Sequence, residues 1–217
     1  MKTGKILKTL KLIKAQVRGY VVPSVTQVSK GKDPYRVLIS CLLSLRTKDK
    51  TTIQAAHRLF KVADKPESML KLTAGRIRRL IYPVGFYRNK SQIILDLSKR
   101  LLEDFSGKVP DSLNALLGLK GVGRKTANLV LGLGFGIAAI CVDTHVHRIS
   151  NRLGWIKTKN PEETESALQK IIPRRRWIEL NTILVTFGQN LCLPVSPFCS
   201  KCGVYGFCKR IGVDKSR

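Results

Sequence analysis

Acid is what this chain has least of. Only 14 of its 217 residues are Asp or Glu, against 40 Lys or Arg, which leaves a formal charge of +26. No acidic residue precedes Asp33. A surface this one-sided repels itself, and it implies a polyanionic partner that neutralises it. Nucleic acid and an anionic membrane are the candidates. Aromatics are scarce too, at 6%, which argues against an RNA reader that stacks bases on a platform of rings. Long apolar runs are missing. The longest, Leu129–Val142, has 14 residues broken by glycines, short of the roughly 20 a spanning helix needs. Lysines at 2, 5, 8, 11 and 14 interrupt every early apolar stretch, so no secretory leader is legible. The six cysteines are too uneven for a secreted disulfide framework, since four fall within 17 residues and two stand alone. These absences point to an intracellular, soluble, basic protein with no membrane partner.

What is present suits a folded chain of one or two domains, 43% hydrophobic and long enough to bury a core without staples. Helical periods dominate, and no alternating runs compete with them. Leu7, Leu10, Ile13 and Val17 repeat on one face of an N-terminal helix whose other side is lysine. Asp33-Pro34 opens a buried helix over 35–45, and Thr47 or Asp49 opens the next, through Phe60. Pro66 and Thr73 start short helices. Tyr82-Pro83-Val84-Gly85 breaks the pattern, which resumes over Ser91 to Phe105. Asp111 is placed to cap a helix over 112–119, and a glycine turn leads into another over 124–133. Further helices are expected from Asp143 to Arg152, over 162–172 and over 177–190. The fold class is all-α.

Cys192, Cys199, Cys202 and Cys208 are separated by six, two and five residues. Four thiolates this close are usually resolved by metal ligation. Zinc would take them, but structural zinc sites tend to use two paired knuckles. One short pair flanked by single cysteines on wider arms suits an iron–sulfur cubane better. Its role would be to clamp a C-terminal loop rather than to react. Cys41 and Cys141 sit among apolar neighbours and read as small core residues.

Leu119-Lys120-Gly121-Val122-Gly123-Arg124-Lys125-Thr126-Ala127 joins two helical segments. Two glycines permit a tight turn and close approach of backbone to a ligand, while Val122 can anchor the turn. Amides at the start of the next helix could face a phosphate, or the segment could be a plain helical hairpin. Eighteen residues after Lys125 comes Asp143, within Val142-Asp143-Thr144-His145-Val146-His147-Arg148. Asp143 suits a helix N-cap. His145 and His147, two apart, do not share a helix face and do not read as a metal pair.

Taken together, Gly-Val-Gly-Arg-Lys-Thr-Ala-Asn, Val-Asp-Thr-His-Val-His-Arg and the 6-2-5 cysteine cluster resemble the endonuclease III family. These are helix-hairpin-helix DNA glycosylases with a [4Fe-4S] cluster. The likeness runs from about Pro34 to Cys208. It implies two lobes with a DNA groove between them. Residues 27–137 would form a six-helix barrel carrying the hairpin, and 1–26 with 138–217 a discontinuous iron–sulfur domain. Its implied substrate is double-stranded DNA with a damaged base or an abasic site. A monomer is expected, intracellular and associated with DNA (in the cytoplasm or nucleoid if the source is prokaryotic).

The resemblance also assigns roles. Lys125 would be the nucleophile and Asp143 its assistant, removing oxidised pyrimidines and then nicking the abasic site by Schiff-base β-elimination. A free lysine is almost wholly protonated at neutral pH; adjacent Arg124 and a helix N-terminus are expected to disfavour that form. Lys120, Gly121, Val122, Gly123 and Arg124 would bind DNA. Arg46 and Phe86 would fill the gap left by an extruded base, though Phe86 could equally be core. Cys192, Cys199, Cys202 and Cys208 would hold the cluster.

Three departures from the family pattern stand out. Arg46 replaces a common glutamine and Lys120 a common proline. The loop from Cys192 to Cys199 has no basic residue, so phosphate contact falls more to Arg174, Arg175, Arg176 and the hairpin, or to the loop's own backbone. Adenine-excising relatives lack the lysine and carry a glutamate ahead of Thr47, where Tyr35 to Lys48 has no carboxylate. Mismatch thymine glycosylases commonly carry tyrosine in place of Lys125. A non-enzymatic helix-hairpin-helix module would account for charge and cysteines but not for the Lys125 and Asp143 pairing.

Overall fold

Each helix expected from the pattern is present in the computed structural model, which describes residues 3–217 and contains no strand among them. In chain order the α-helices are α1 (Thr3–Gln16), α2 (Ser24–Val28), which the pattern did not announce, α3 (Pro34–Ser44), α4 (Asp49–Val62), α5 (Pro66–Leu70) and α6 (Ala74–Ile81). Then follow α7 (Tyr87–Phe105), α8 (Leu113–Leu117), α9 (Arg124–Leu129), α10 (Thr144–Arg152), α11 (Pro161–Ile171) and α12 (Trp177–Asn190). Among the described residues no helix is long and apolar enough to cross a membrane. The chain divides into two compact units, Pro23–Ile137 and Met1–Val22 with Ala138–Arg217.

The unit Pro23–Ile137 is built around α3. Asp33 caps it, its carboxylate accepting from the amides of Tyr35 (2.9 Å) and Arg36 (3.1 Å). Pro34 at the first helical position lacks the amide that would otherwise be orphaned. Tyr35 and every residue from Val37 to Leu43 are buried, as in a core helix apolar all round. Helices α2, α4, α7 and α9 pack against it.

Three boundaries differ from the sequence reading. Helix α7 begins at Tyr87, four residues before Ser91, because Phe86 turns left-handed (φ 58°) and launches the helix at once. Ser112, not Asp111, caps α8, its hydroxyl accepting from the Ala115 amide at 3.3 Å. The helix expected over 124–133 changes pitch after Leu129 into a π-helical turn, Val130–Gly134. There Gly134 lies against Pro34, where a Cβ would come within 2.9 Å of Pro34 Cα.

In the other unit α1 buries Ile6, Leu10 and Ile13 at 0–3% exposure, with Val17 beyond them. Leu7, expected on this face, is only half-buried; Ile6 replaces it. Spacings of four, three and four keep to a 3.6-residue turn, whereas a stripe starting at Leu7 drifts off the face. The stripe meets Ile140, Val146, Ile149, Leu180, Leu184 and Phe187 in one core. Fully burying side chains of this size stabilises by about 1.5–3 kcal/mol each. Glu179 on α12 fastens the helix from outside, pairing with Lys14 (2.6 Å) and Arg176 (2.6 Å).

Candidate functional site

The glycine turn links α8 to α9 within the unit Pro23–Ile137. Leu119 and Val122 are buried at 3% and 6% and pin the turn to the core. Gly121 takes φ +83°, and a Cβ there would stand 3.0 Å from Ile93 Cγ2. Only glycine suits both conditions. Lys120 pairs with Asp96 at 3.5 Å, and both line an open groove with Arg100 and residues 117–123. Gly123 caps α9 in an extended conformation. Arg124 and Lys125 are exposed in the first turn, while Thr126, Ala127 and Asn128 are buried beneath them. Burial pushes the Cys41 thiol on α3 up to about 12, and the charge of Lys125 pulls it the other way.

Asp143 is the N-cap of α10. Its Oδ1 accepts from the amides of His145 and Val146, both at 2.9 Å. The two histidines take different partners: His145 Nδ1 meets Arg148 Nη2 at 3.1 Å, and His147 Nδ1 meets Thr164 Oγ1 at 2.7 Å.

Arg46 and Phe86 stand together in the first unit. Phe86 is 59% exposed, so it is not a core residue. The Arg46 guanidinium lies 5.6 Å from the centre of its ring. Both have left-handed backbones, φ 52° and φ 58°, at about 1–2 kcal/mol for a residue other than glycine.

The four C-terminal cysteines border one hollow with Arg152, Phe187, Leu191 and Val204. Burial raises the Cys202 and Cys208 thiols; backbone amides of Val204 and Arg210 oppose this, and the charges of the other cysteines add to it. Donors already point at sulfur: the Arg210 amide at Cys208 Sγ (3.3 Å) and Arg152 Nη1 at Cys192 Sγ (3.4 Å). As the side chains stand, no group of three or more His, Cys, Asp or Glu among the described residues is arranged to hold a metal ion.

Sequence reasoning missed the residues that brace this loop. Arg152, only 5% exposed, also donates to the carbonyls of Leu193 (2.8 Å) and Pro194 (3.1 Å). Arg148 donates to the Cys192 carbonyl at 2.8 Å, and burial lowers its pKa. Gln16 brackets the loop from α1, donating to the Lys201 carbonyl (2.7 Å) and accepting from the Gly203 amide (3.0 Å). The four-residue spacing of Arg148 and Arg152, which sets both on one side of α10, was the one available signal. Arg174, Arg175 and Arg176 form an exposed 3₁₀ turn, with Arg176 held by Glu179.

A helical hairpin closed by two glycines, set among helices, fits the helix-hairpin-helix class of repair proteins. The family model described as "HhH-GPD superfamily base excision DNA repair protein" matches residues 39–174. Endonuclease III of Thermotoga maritima is 49% identical over 180 residues, covering 83% of this chain and 84% of that one. A non-covalent endonuclease III–DNA complex superposes with a TM-score of 0.86 at 31% identity, covering 97% and 96% of the two chains. A trapped endonuclease III–DNA covalent intermediate, an estranged-adenine complex, gives 0.84 at 30% identity, covering 97% of each. The chain belongs to the endonuclease III family. Its function is base-excision DNA repair, as a DNA glycosylase and abasic-site lyase.

Proposed function

We propose that Lys125 is the nucleophile of this enzyme, with Asp143 assisting it, on double-stranded DNA carrying an oxidised pyrimidine or an abasic site. The amine attacks the deoxyribose C1′, and the damaged base departs with the glycosidic bonding electrons and takes a proton. The sugar ring opens to a Schiff base. Loss of a C2′ proton then expels the 3′ phosphate, and water releases the lysine. Asp143 steadies positive charge growing on the sugar and helps remove the proton from the amine. The observation carrying this reading is the exposed Lys125 in the first turn after the glycine hairpin, in a chain that closely matches a trapped protein–DNA covalent intermediate.

Lys120, Gly121, Val122, Gly123 and Arg124 grip the DNA backbone, and Arg46 with Phe86 occupies the space of the extruded base. Cys192, Cys199, Cys202 and Cys208 hold a [4Fe-4S] cluster. Four cysteines bordering one hollow, with donors aimed at two of the sulfurs, suit an anionic thiolate-bound metal group, and the spacing of one short pair flanked by single cysteines on wider arms favours the cluster over zinc. The chemistry it supplies is structural, clamping the loop over 192–208. Residues 27–137 serve as the hairpin-bearing barrel and 1–26 with 138–217 as the cluster domain of a monomer that works on cellular DNA.

Borohydride trapping on lesion and abasic duplexes tests the assignment. The native enzyme is expected to form a covalent adduct, and Lys125→Ala to form none while binding duplex within a few-fold. Efficient trapping by Lys125→Ala refutes it.

A further inference from the structure

We propose that Lys90 is a positioning residue whose ammonium staples the segment after α3 to the segment before α7, holding Arg46 and Phe86 as a single wedge. The inference rests on the functional reading above and adds a residue to it. Lys90 is only 6% exposed. Its Nζ donates to the carbonyls of Leu43 (2.9 Å) and Leu45 (2.6 Å) and to Thr47 Oγ1 (3.3 Å). An ammonium has three N–H donors and no acceptor, so these oxygens satisfy it fully. The two carbonyls lie at the end of α3, where helical carbonyls lose their backbone partners and the helix dipole is negative. Burial lowers the lysine to about 8, which keeps it mostly charged at neutral pH.

The same hydroxyl reaches the other segment. Thr47 Oγ1 accepts from the Gly85 amide at 3.1 Å. Gly85 lies directly on the Arg46 carbonyl, where a Cβ would be 2.5 Å away. Two stretches some forty residues apart thus behave as one body. Each carries one left-handed residue, Arg46 and Phe86, and each aims that residue's side chain into solvent. Such backbone persists only where its surroundings over-determine it, and Lys90 with Thr47 supplies that constraint. The ammonium holds the Arg46 side directly, and Lys90's own place on α7, four residues after Phe86, ties that hold to the other side.

The test measures kcat and KM for base release from a duplex carrying one thymine glycol, in a double-mutant cycle with Phe86→Ala. Lys90→Met is expected to lower kcat about tenfold with KM within twofold, since misplacing a positioning group acts on the bound complex. Thr47→Val, which keeps side-chain volume, should lower kcat about threefold in the same manner. In the Phe86→Ala background each should cost less than a further twofold, because coupled residues are non-additive. Losses that add fully, or an unchanged kcat in folded Lys90→Met, overturn the staple. Should Lys90→Met fail to fold, the Thr47→Val cycle decides by the same criteria. A native enzyme inert on both lesion and abasic duplex overturns the functional reading and the staple with it. An active native enzyme with additive losses overturns the staple alone.

Discussion

Gly121 meets two conditions at once, and they separate its role from that of an ordinary turn glycine. Its φ of +83° excludes most side chains on backbone grounds, and a Cβ would stand 3.0 Å from Ile93 Cγ2, close enough that the isoleucine would have to give way. A Gly121→Val variant should lose about 1–3 kcal/mol of stability, read as a lowered thermal midpoint. Duplex binding should fall more than that loss of stability accounts for, since the turn that presents Lys120 and Arg124 is displaced. Unchanged melting and binding would contradict this account of the hairpin. The turn was legible because glycine is the residue such a backbone demands. Lys90 was not legible. In a chain with 40 basic residues, one more lysine carries no signal until the fold closes around it. Arg46 was legible as a candidate through its place in a motif, but its pairing with the Phe86 ring joins positions far apart in the chain.

Among the elements, α1 shows how much an amphipathic helix can carry. Its apolar stripe fills a core, its amide Gln16 brackets the cysteine loop, and its Lys14 meets Glu179. Burial raises the Glu179 carboxyl, but hydrogen bonds and charges from Lys14 and Arg176 outweigh this and hold it below the usual carboxylate range. A carboxylate held low in the folded state stabilises fully above its unfolded pKa and loses that contribution as pH falls through the folded value. Glu179→Gln should therefore be less stable than native protein at neutral pH, by under about 1 kcal/mol because the pair is largely solvated. The two should converge in acid. Melting curves across pH check this, and a constant gap would contradict it. Helix α10 was also readable at its start, where Asp143 caps it. That Arg148 and Arg152 on the same helix brace the cysteine loop depended on where its opposite end packs.

At the scale of the molecule, the excess of 26 positive charges is a statement about association rather than fold. If about five phosphates are neutralised on binding, log affinity should fall with log salt at a slope of about −4 to −5. Fluorescence anisotropy on an undamaged duplex across a salt series would measure it. A slope near −1 would contradict an extended basic contact. The charge balance told in advance that a polyanion was the partner class, because formal charge does not depend on folding.

Helical periodicity, the glycine turn, the Asp143 cap and the cysteine spacing were all written in local order along the chain. Each depends on neighbours within a few residues, where side-chain period and backbone preference suffice. Helix ends were less secure: Phe86 and Ser112 moved boundaries because a left-handed residue or a better-placed hydroxyl settled where backbone amides found partners. Long-range geometry alone made a buried lysine into a three-donor staple, turned two loops into one surface feature, and set two arginines against a cysteine loop. Those contacts join residues some forty positions apart, and no local pattern encodes a distance across folded space.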